Sequence, residues 1–188
     1  ENLMRLSIKA DSGPNLVTEY IFLGLLKRSS LLVKSLDTPI IRRKVQQIFS
    51  AKNMLPGSYN YNEVIRIFND IPKYELFRTP TTELLEMLDY FMSITNTNHI
   101  QCYKHFNTTT NQLKLYFVIP YYLFNVNTVK IITNYLLNQL TSTFHEILPI
   151  TAPEKCRIHC RFQLNGADPL PDEESIERFL TLQVQSWE

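Results

Sequence analysis

The first part of the chain alternates apolar and polar residues, which is the pattern of a half-buried β-strand. Every second residue from Met4 to Ile8 is apolar. Turn-forming residues follow, and the segment Leu16–Leu26 is then almost entirely apolar, as in a strand that is buried on both faces. We therefore predict a β-hairpin at residues 1–26 with a buried second strand. Because two strands alone are marginally stable, the hairpin is expected to belong to a larger sheet.

Helical periodicity dominates the next part of the chain. Thr38 and Pro39 suit the cap and the first residue of a helix, whereas Pro56, Gly57 and Pro72 suit interruptions between helices. Apolar residues recur at helical spacing in the segments Ile41–Phe49, Asn62–Asn69 and Leu84–Ile94. The pattern predicts a helical connector over residues 36–97.

From His99 the period of the pattern falls to two, and strands alternate with helices. Strands are predicted at His99–Asn107, Gln112–Pro120, Phe144–Ile150 and Cys156–Leu164. Asn127 is predicted to cap one helix, and Pro171 to open the last one. The predicted order from residue 80 is α-β-β-α-β-β-α, which favours an α+β fold with an antiparallel sheet and helices packed on one face. A module of this kind over residues 98–188 is close in content to ferredoxin-like domains, although its order differs from their β-α-β-β-α-β.

The segment Cys156–Leu164 shows the most regular strand pattern. Ile158 and Cys160 lie on one side of it and are predicted to be core residues. Arg157 and His159 lie on the other side, and we expect Arg157 to be exposed and His159 to be half-exposed. On this interpretation a charge at Ile158 should destabilise the protein, whereas Arg157→Ala should have little effect.

Composition narrows the class of protein. Hydrophobic residues make up 44% of the 188 residues and charged residues 20%, which is enough for a packed core. The formal net charge is +1, so no global field attracts nucleic acid or an anionic membrane surface. The three cysteines argue against a disulfide framework, and the start of the chain lacks a signal-peptide pattern. We expect a cytoplasmic protein that binds neither nucleic acid nor membranes.

Residues that could carry chemistry are sparse. The four histidines lie far apart, without metal-ligand spacing, and no nucleophile is accompanied by a recognisable base. The four glycines, Gly13, Gly24, Gly57 and Gly166, cannot form the glycine-rich turn that holds NAD. We therefore predict no catalytic, cofactor-binding or metal-binding residue in this chain.

The remaining candidate site residues are basic. Arg42, Arg43 and Lys44 are consecutive on a predicted helix, and Arg157 and Arg161 share one face of a predicted strand. Either group is suited to contact an anion or another domain. A solvated helix face is the alternative interpretation of the triplet.

An ordered set of short segments resembles a known family. The segments are Phe22–Leu26, Thr38–Val45, Leu55–Asn60, Ile71–Phe77 and Val118–Pro120 with Phe124–Asn125. Their order is similar to the region upstream of the catalytic domain in bacterial large NAD-specific glutamate dehydrogenases, which typically shows an Ile-Pro-Leu-Leu-Arg-Arg-Lys helix start and a Pro-Arg-Asp-Glu-Leu-Phe link. The resemblance extends from about Phe22 to Val184.

The resemblance implies a regulatory part of a larger enzyme. The whole enzyme would convert L-glutamate, NAD and water to 2-oxoglutarate, ammonia and NADH. Residues 1–26 would be the end of one ACT-like module, 36–97 a helical connector and 98–188 a further ACT-like module. The segment itself would be inactive, with NAD bound elsewhere in the parent enzyme. Its partners would be the other domains and subunits of a homo-oligomer, and an amino-acid effector.

The chain departs from the family at two places. Where the family has Pro-Arg-Asp-Arg-Tyr, the segment Pro120–Phe124 lacks both arginines and the aspartate. Where the family has Gly-Ser-His-Asp, the segment Gly57–Asn60 lacks the histidine. Anion binding at the first place is therefore not expected, and no catalytic residue of the family transfers to this chain.

Two alternatives remain open, a stand-alone ACT-like module that binds a small molecule and a protein-interaction domain. An independent enzyme is disfavoured because no catalytic motif is present. The chain begins with Glu1, directly before a strand pattern, so we expect a segment of a longer protein. Its strand edges would then lack their native neighbours, and we expect self-association through residues 1–26.

Overall fold

The computed structural model describes residues 3–11, 17–25, 27, 29, 33–94, 98–151, 155–165 and 170–185. The chain forms two compact units, Glu1–Leu85 and Glu86–Glu188. The boundary between the units falls inside a helix, whereas the sequence pattern places the start of the C-terminal module at residue 98.

The first unit begins with the predicted hairpin. Strands β1 (Leu3–Asp11) and β2 (Val17–Leu25) pair antiparallel, and the turn between them lies outside the described residues. Five large side chains of β2 are 50–72% exposed, namely Tyr20, Ile21, Phe22, Leu23 and Leu25. The prediction of a hairpin is confirmed, and the prediction that its second strand is buried on both faces is wrong for this chain. An apolar pattern shows that a strand can be covered, but only its neighbours decide whether it is covered.

Helices occupy most of residues 39–93. They are α1 (Pro39–Ala51), α2 (Tyr59–Asp70), α3 (Lys73–Arg78) and α4 (Thr81–Ser93). Thr38 and Pro39 start α1 as predicted, and Ser58 caps α2 by accepting a hydrogen bond from the Tyr61 N–H. The short α3 is not evident from the sequence, because a segment of 6 residues is too short to show helical periodicity.

The predicted apolar stripes of these helices are buried. They include Ile41, Val45 and Ile48 of α1, and Val64 and Phe68 of α2. Between the two helices, Gly57 has a φ of 80°, a left-handed conformation that glycine adopts without steric cost. Phe49 stacks on Tyr61 with ring centroids 4.2 Å apart, which joins the end of α1 to the start of α2.

The second unit contains a four-stranded antiparallel sheet in the order β3-β4-β6-β5. Its elements are β3 (Gln101–Asn107), β4 (Gln112–Pro120), α5 (Val126–Gln139), β5 (Ser142–Ile150), β6 (Lys155–Leu164) and α6 (Glu173–Gln185). Helix α5 joins β4 to β5 while β6 lies between them, which is a split β-α-β connection like that of ferredoxin-like domains. The predicted α+β fold with an antiparallel sheet, helices and an N-terminal hairpin is confirmed.

One face of this sheet packs against α5 and α6. Ile158 and Cys160 are buried there, as predicted. The two helices contribute Ile132, Leu136, Ile176 and Leu180 to the same core. Helix α5 is capped by Asn125, whose side chain accepts a hydrogen bond from the Thr128 N–H at 3.0 Å, so the predicted cap at Asn127 is wrong by one half-turn.

Candidate functional site

The second face of the four-stranded sheet carries the predicted basic residues of β6. Arg157, His159 and Arg161 alternate along this strand with the core residues of the opposite face. Arg157 and His159 expose only 2% and 4% of their surface. The shared face is therefore as predicted, whereas the predicted exposure of Arg157 and half-exposure of His159 are wrong.

Arg161 pairs with a carboxylate of the neighbouring strand. Its guanidinium lies 2.7 Å from the Glu146 carboxylate of β5 and 5.4 Å from the centroid of the Phe144 ring. On the other side, Lys114 of β4 is directly opposite Arg161 and is buried. Like charges that face each other across two strands repel, so Glu146 offsets part of the positive charge on this face.

Arg157 is packed against an aromatic ring. Its guanidinium carbon lies 5.4 Å from the centroid of Phe91, which is a cation–π distance. Phe91 in turn meets Tyr116 edge-on at 6.2 Å. Burying a guanidinium removes its hydration, which the protein has to replace with internal partners. Arg157 is therefore an internal structural cation, and a ligand in bulk solvent does not reach it in this conformation.

His159 is buried and uncharged. Its ring stands edge-on to the ring of Tyr116, with centroids 4.8 Å apart. Burial, and secondarily the charge of Arg157, lowers the pKa of His159 to about 3. Among the residues that the structure describes, neither ring nitrogen has a hydrogen-bond partner. His159 is therefore a neutral aromatic side chain near pH 7 and adds no charge to the basic face.

The three basic residues of α1, Arg42–Lys44, lie in two different environments. Arg42 and Arg43 are exposed, as a contact to an anion or another domain requires. Lys44 instead donates to three backbone carbonyls near the end of α3, those of Leu76, Phe77 and Thr79, at 2.7, 2.9 and 2.7 Å. An ammonium group has three protons, so Lys44 supplies the hydrogen bonds that the last carbonyls of α3 lack. This lysine holds α1 against α3.

A second lysine, Lys73, binds backbone carbonyls at the end of α2. The Lys73 ammonium lies 3.0 Å from Ser35 Oγ and 3.4 Å from the Asn69 carbonyl, while Ser35 Oγ donates to the Phe68 carbonyl at 2.6 Å. Burial lowers the pKa of Lys73, and the charge of Asp70 opposes that shift. The carbonyl end of a helix favours a cation. The sequence signal for this contact is the lysine that directly follows Pro72, at the end of α2.

Two glutamates of α6 accept hydrogen bonds from backbone N–H groups at the open edge of β3. Glu173 accepts a hydrogen bond from the Lys104 N–H at 2.7 Å, and Glu177 accepts one from the Cys102 N–H at 2.6 Å. The Tyr90 hydroxyl donates to the Cys102 carbonyl at 3.0 Å. Burial raises the pKa of Glu177, and its bond from Cys102 acts in the opposite direction. Because these side chains bond to the backbone of Cys102 and Lys104, those backbone groups are not available to a further strand.

The described residues offer little reactive chemistry. They contain no group of three or more His, Cys, Asp or Glu side chains that is placed to hold a metal ion. The cysteines are free and buried, and burial raises the pKa of Cys102 and Cys160, so their thiols stay protonated and are poor nucleophiles. Within the described part of the chain, every helix falls short of the length and apolar character that crossing a membrane demands.

Comparison with known proteins bears on the helical region. Residues 38–96 match the family model described as glutamate dehydrogenase, helical motif 1. This match supports a glutamate dehydrogenase-related protein. The matched segment runs from the cap of α1 to just beyond the end of α4, and it covers less than half of the chain. A search of curated proteins found no match.

Some of the candidate site residues lie inside the segment that matches glutamate dehydrogenase, and others lie outside it. The triplet Arg42–Lys44 lies inside the matched segment, together with the second lysine, Lys73. Arg157 and Arg161 lie outside it. The two lysines therefore belong to the internal architecture of the helical motif, whereas the basic sheet face is known from its geometry alone.

Proposed function

We propose that this chain is a non-catalytic regulatory and architectural segment of a bacterial-type, NAD-specific glutamate dehydrogenase. The match of residues 38–96 to a helical motif of glutamate dehydrogenase carries the proposal. The resemblance of Phe22–Leu26 and Val118–Pro120 to the same family extends the argument to both sides of the matched segment. The parent enzyme would oxidise L-glutamate to 2-oxoglutarate and ammonia in amino-acid catabolism in the cytoplasm.

In this proposal residues 98–188 form an ACT-like module, and residues 1–26 are the end of a preceding one. The split β-α-β connection and the two helices on one face of the sheet support a module of this kind. The helical region 36–97 connects the two. Its lysine bonds, from Lys44 and Lys73 to helix ends, give the connector the internal rigidity that transmission between modules requires.

The proposed role of the segment is structural and regulatory rather than catalytic. Its glycines do not form the turn that holds a dinucleotide, so NAD would bind in another part of the parent enzyme. Other domains and subunits would be its macromolecular partners, and Arg42 and Arg43, which are exposed on α1, are the residues proposed to contact them or an anionic group. An amino acid is the proposed effector.

The test compares this chain with the full protein that its reading frame encodes. Both are purified, and NADH formation is followed by absorbance with L-glutamate and NAD. The full protein should reduce NAD at a measurable rate and NADP more slowly, whereas the 188-residue chain should show no reduction.

Three results would overturn the proposal. They are NAD reduction by the isolated chain, a full protein without glutamate dehydrogenase activity, and a reading frame that ends at Glu188. The last result would instead favour a stand-alone module that binds a small molecule or another protein.

A further inference from the structure

The end of α3 presents backbone carbonyls that the helix itself does not satisfy. The last four carbonyls of a helix have no partner within it, and those of Leu76 and Phe77 are among them because α3 ends at Arg78. The residue four positions after Leu76 is Pro80, which has no N–H group. The helical hydrogen bonds therefore cannot continue from Leu76 into α4, and its carbonyl needs a donor from outside α3.

A single side-chain nitrogen supplies the donors. Lys44 Nζ lies 2.7 Å from the carbonyl oxygen of Leu76, 2.9 Å from that of Phe77 and 2.7 Å from that of Thr79. These lengths are typical of charge-assisted hydrogen bonds. An ammonium group has three protons and no acceptor, so it can donate one proton to each carbonyl. The three oxygens together form a binding site for a primary ammonium group, which is called the ammonium site below.

The arrangement of the oxygens distinguishes among cations. They converge on one nitrogen, as the compact and rotatable ammonium of a lysine requires. A guanidinium group spreads its donors over a rigid plane and cannot direct three of them to one point. A quaternary ammonium ion carries positive charge but has no N–H group. The ammonium site should therefore prefer a primary ammonium group over either of these cations.

Helix α3 depends on contacts of this kind. It has 6 residues, well below the ~12–15 residues at which an isolated helix becomes even marginally stable. Its last turn carries partial negative charge, which a cation stabilises. Leu76 is fully buried, so water does not readily replace a donor that its carbonyl loses. An empty ammonium site would thus leave a buried acceptor unsatisfied, which is costly.

We propose that the end of α3 is a site selective for a primary ammonium group, and that its occupation by Lys44 is the condition for the last turn of α3 to form against α1. In this arrangement Lys44 is a ligand supplied by the chain itself, and the helical segment holds α3 only while the site is filled. The inference is independent of the proposed function, because it concerns contacts within the helical segment alone.

Chemical rescue of Lys44→Ala in the full chain tests the selectivity. The substitution removes three carbons and the ammonium group, which together correspond to propylammonium. Loss of the charged donor should lower the melting temperature, followed by far-UV circular dichroism, by roughly 4–8 °C. Propylammonium chloride should recover most of this shift in a saturable manner, whereas tetramethylammonium chloride at the same ionic strength should not.

A matched lysine variant controls for general salt effects. Lys130 lies at an exposed position of α5, so Lys130→Ala should melt like the unmodified chain, and the two salts should affect it equally. An unchanged melting temperature of Lys44→Ala, or an equal response of Lys44→Ala to the two salts, would overturn the proposal.

A second substitution separates the ammonium geometry from its charge. Lys44→Arg keeps the positive charge but replaces the ammonium with a planar group, and its melting temperature should fall nearly as far as that of Lys44→Ala. An arginine variant as stable as the unmodified chain would show that charge alone suffices and would overturn the selectivity. If Lys44→Ala does not fold in buffer, refolding in propylammonium but not in tetramethylammonium supports the proposal, and refolding in neither contradicts it.

Discussion

Each of the two sheets of this protein contains side chains whose exposure is opposite to what their residue type suggests. The hairpin β1–β2 exposes leucine and aromatic side chains such as Leu23 and Phe22, whereas the four-stranded sheet buries Arg157 and Lys114. The apolar side chains that the structure describes in the two-stranded sheet lie in water. A cation on a larger sheet is buried when internal partners replace its hydration, as the ring of Phe91 partly does for Arg157. The surroundings of a strand, more than its residue types, set exposure here.

The same contrast holds for the strand edges. At the outer edge of β3, the backbone N–H groups of Cys102 and Lys104 bond to Glu177 and Glu173, so these two donors are satisfied within their own unit. Strand β2, by contrast, is uncharged and largely apolar from Tyr20 to Leu25. Side chains therefore occupy part of the edge of β3, whereas β2 has the sequence of an internal strand.

The largest effect is expected from a charge in the core of the four-stranded sheet. Ile158→Asp would bury a carboxylate without a partner, which should lower the free energy of unfolding by on the order of 4 kcal/mol. Denaturant unfolding measures this effect. The control Leu55→Asp, at an exposed leucine, should change the free energy by less than about 0.5 kcal/mol. An Ile158→Asp protein with an unchanged melting temperature would contradict the assignment of this face to the core.

A smaller effect is expected from the buried cation on the opposite face. Arg157→Ala removes a packed side chain and its contact with Phe91, and should lower the free energy of unfolding by about 2–3 kcal/mol. Arg42→Ala, at an exposed position of α1, is the matched control and should cost less than about 0.5 kcal/mol. Equal effects of the two substitutions would show that burial of Arg157 does not contribute to stability.

The smallest effect is a pH dependence that arises from His159. Its pKa is about 3 in the folded protein and 6.5 ordinarily, so the unfolded chain binds more protons between these values. Its contribution to stability is complete above about pH 6.5 and is lost as the pH falls, reaching about 2 kcal/mol at about pH 5. The charge of Arg157 disfavours the protonated form of His159. The ring of Tyr116 stands edge-on to the imidazole ring.

Unfolding curves at neutral pH and near pH 5 measure this dependence. His159→Phe should lose about 2 kcal/mol less stability over that interval than the unmodified chain, whereas His99→Phe, at an exposed position, should keep the unmodified slope. If His159→Phe also keeps that slope, the histidine is not buried in neutral form.

Strand limits in the four-stranded sheet follow closely from the sequence. The predicted segment Gln112–Pro120 coincides with β4, and Cys156–Leu164 differs from β6 by one residue. Both segments are bounded by turn residues and have a period of two, which is a local property of the chain. By contrast, α3 is too short for its period to show, and the cap of α5 depends on which asparagine reaches the Thr128 N–H.

The candidate site was less accessible to prediction. The sequence identifies Arg157 and Arg161 as neighbours on one face because alternation along a strand is local. It does not show that Arg161 meets Glu146, which approaches only when β5 pairs with β6. Nor does it show that Lys44 binds the end of α3, because that contact joins residues more than thirty positions apart.

The sequence by itself determined the periods of the main elements, the inward face of β6, the α+β class and the resemblance of its helical region to glutamate dehydrogenase. These properties depend on residues that are neighbours along the chain. Only the tertiary structure decided that β2 is exposed, that Arg157 and His159 are buried, and that two lysines close helix ends. The exposure of a side chain and its contact partners depend on which surfaces pack together after folding. Those surfaces are formed by residues that are distant in the sequence.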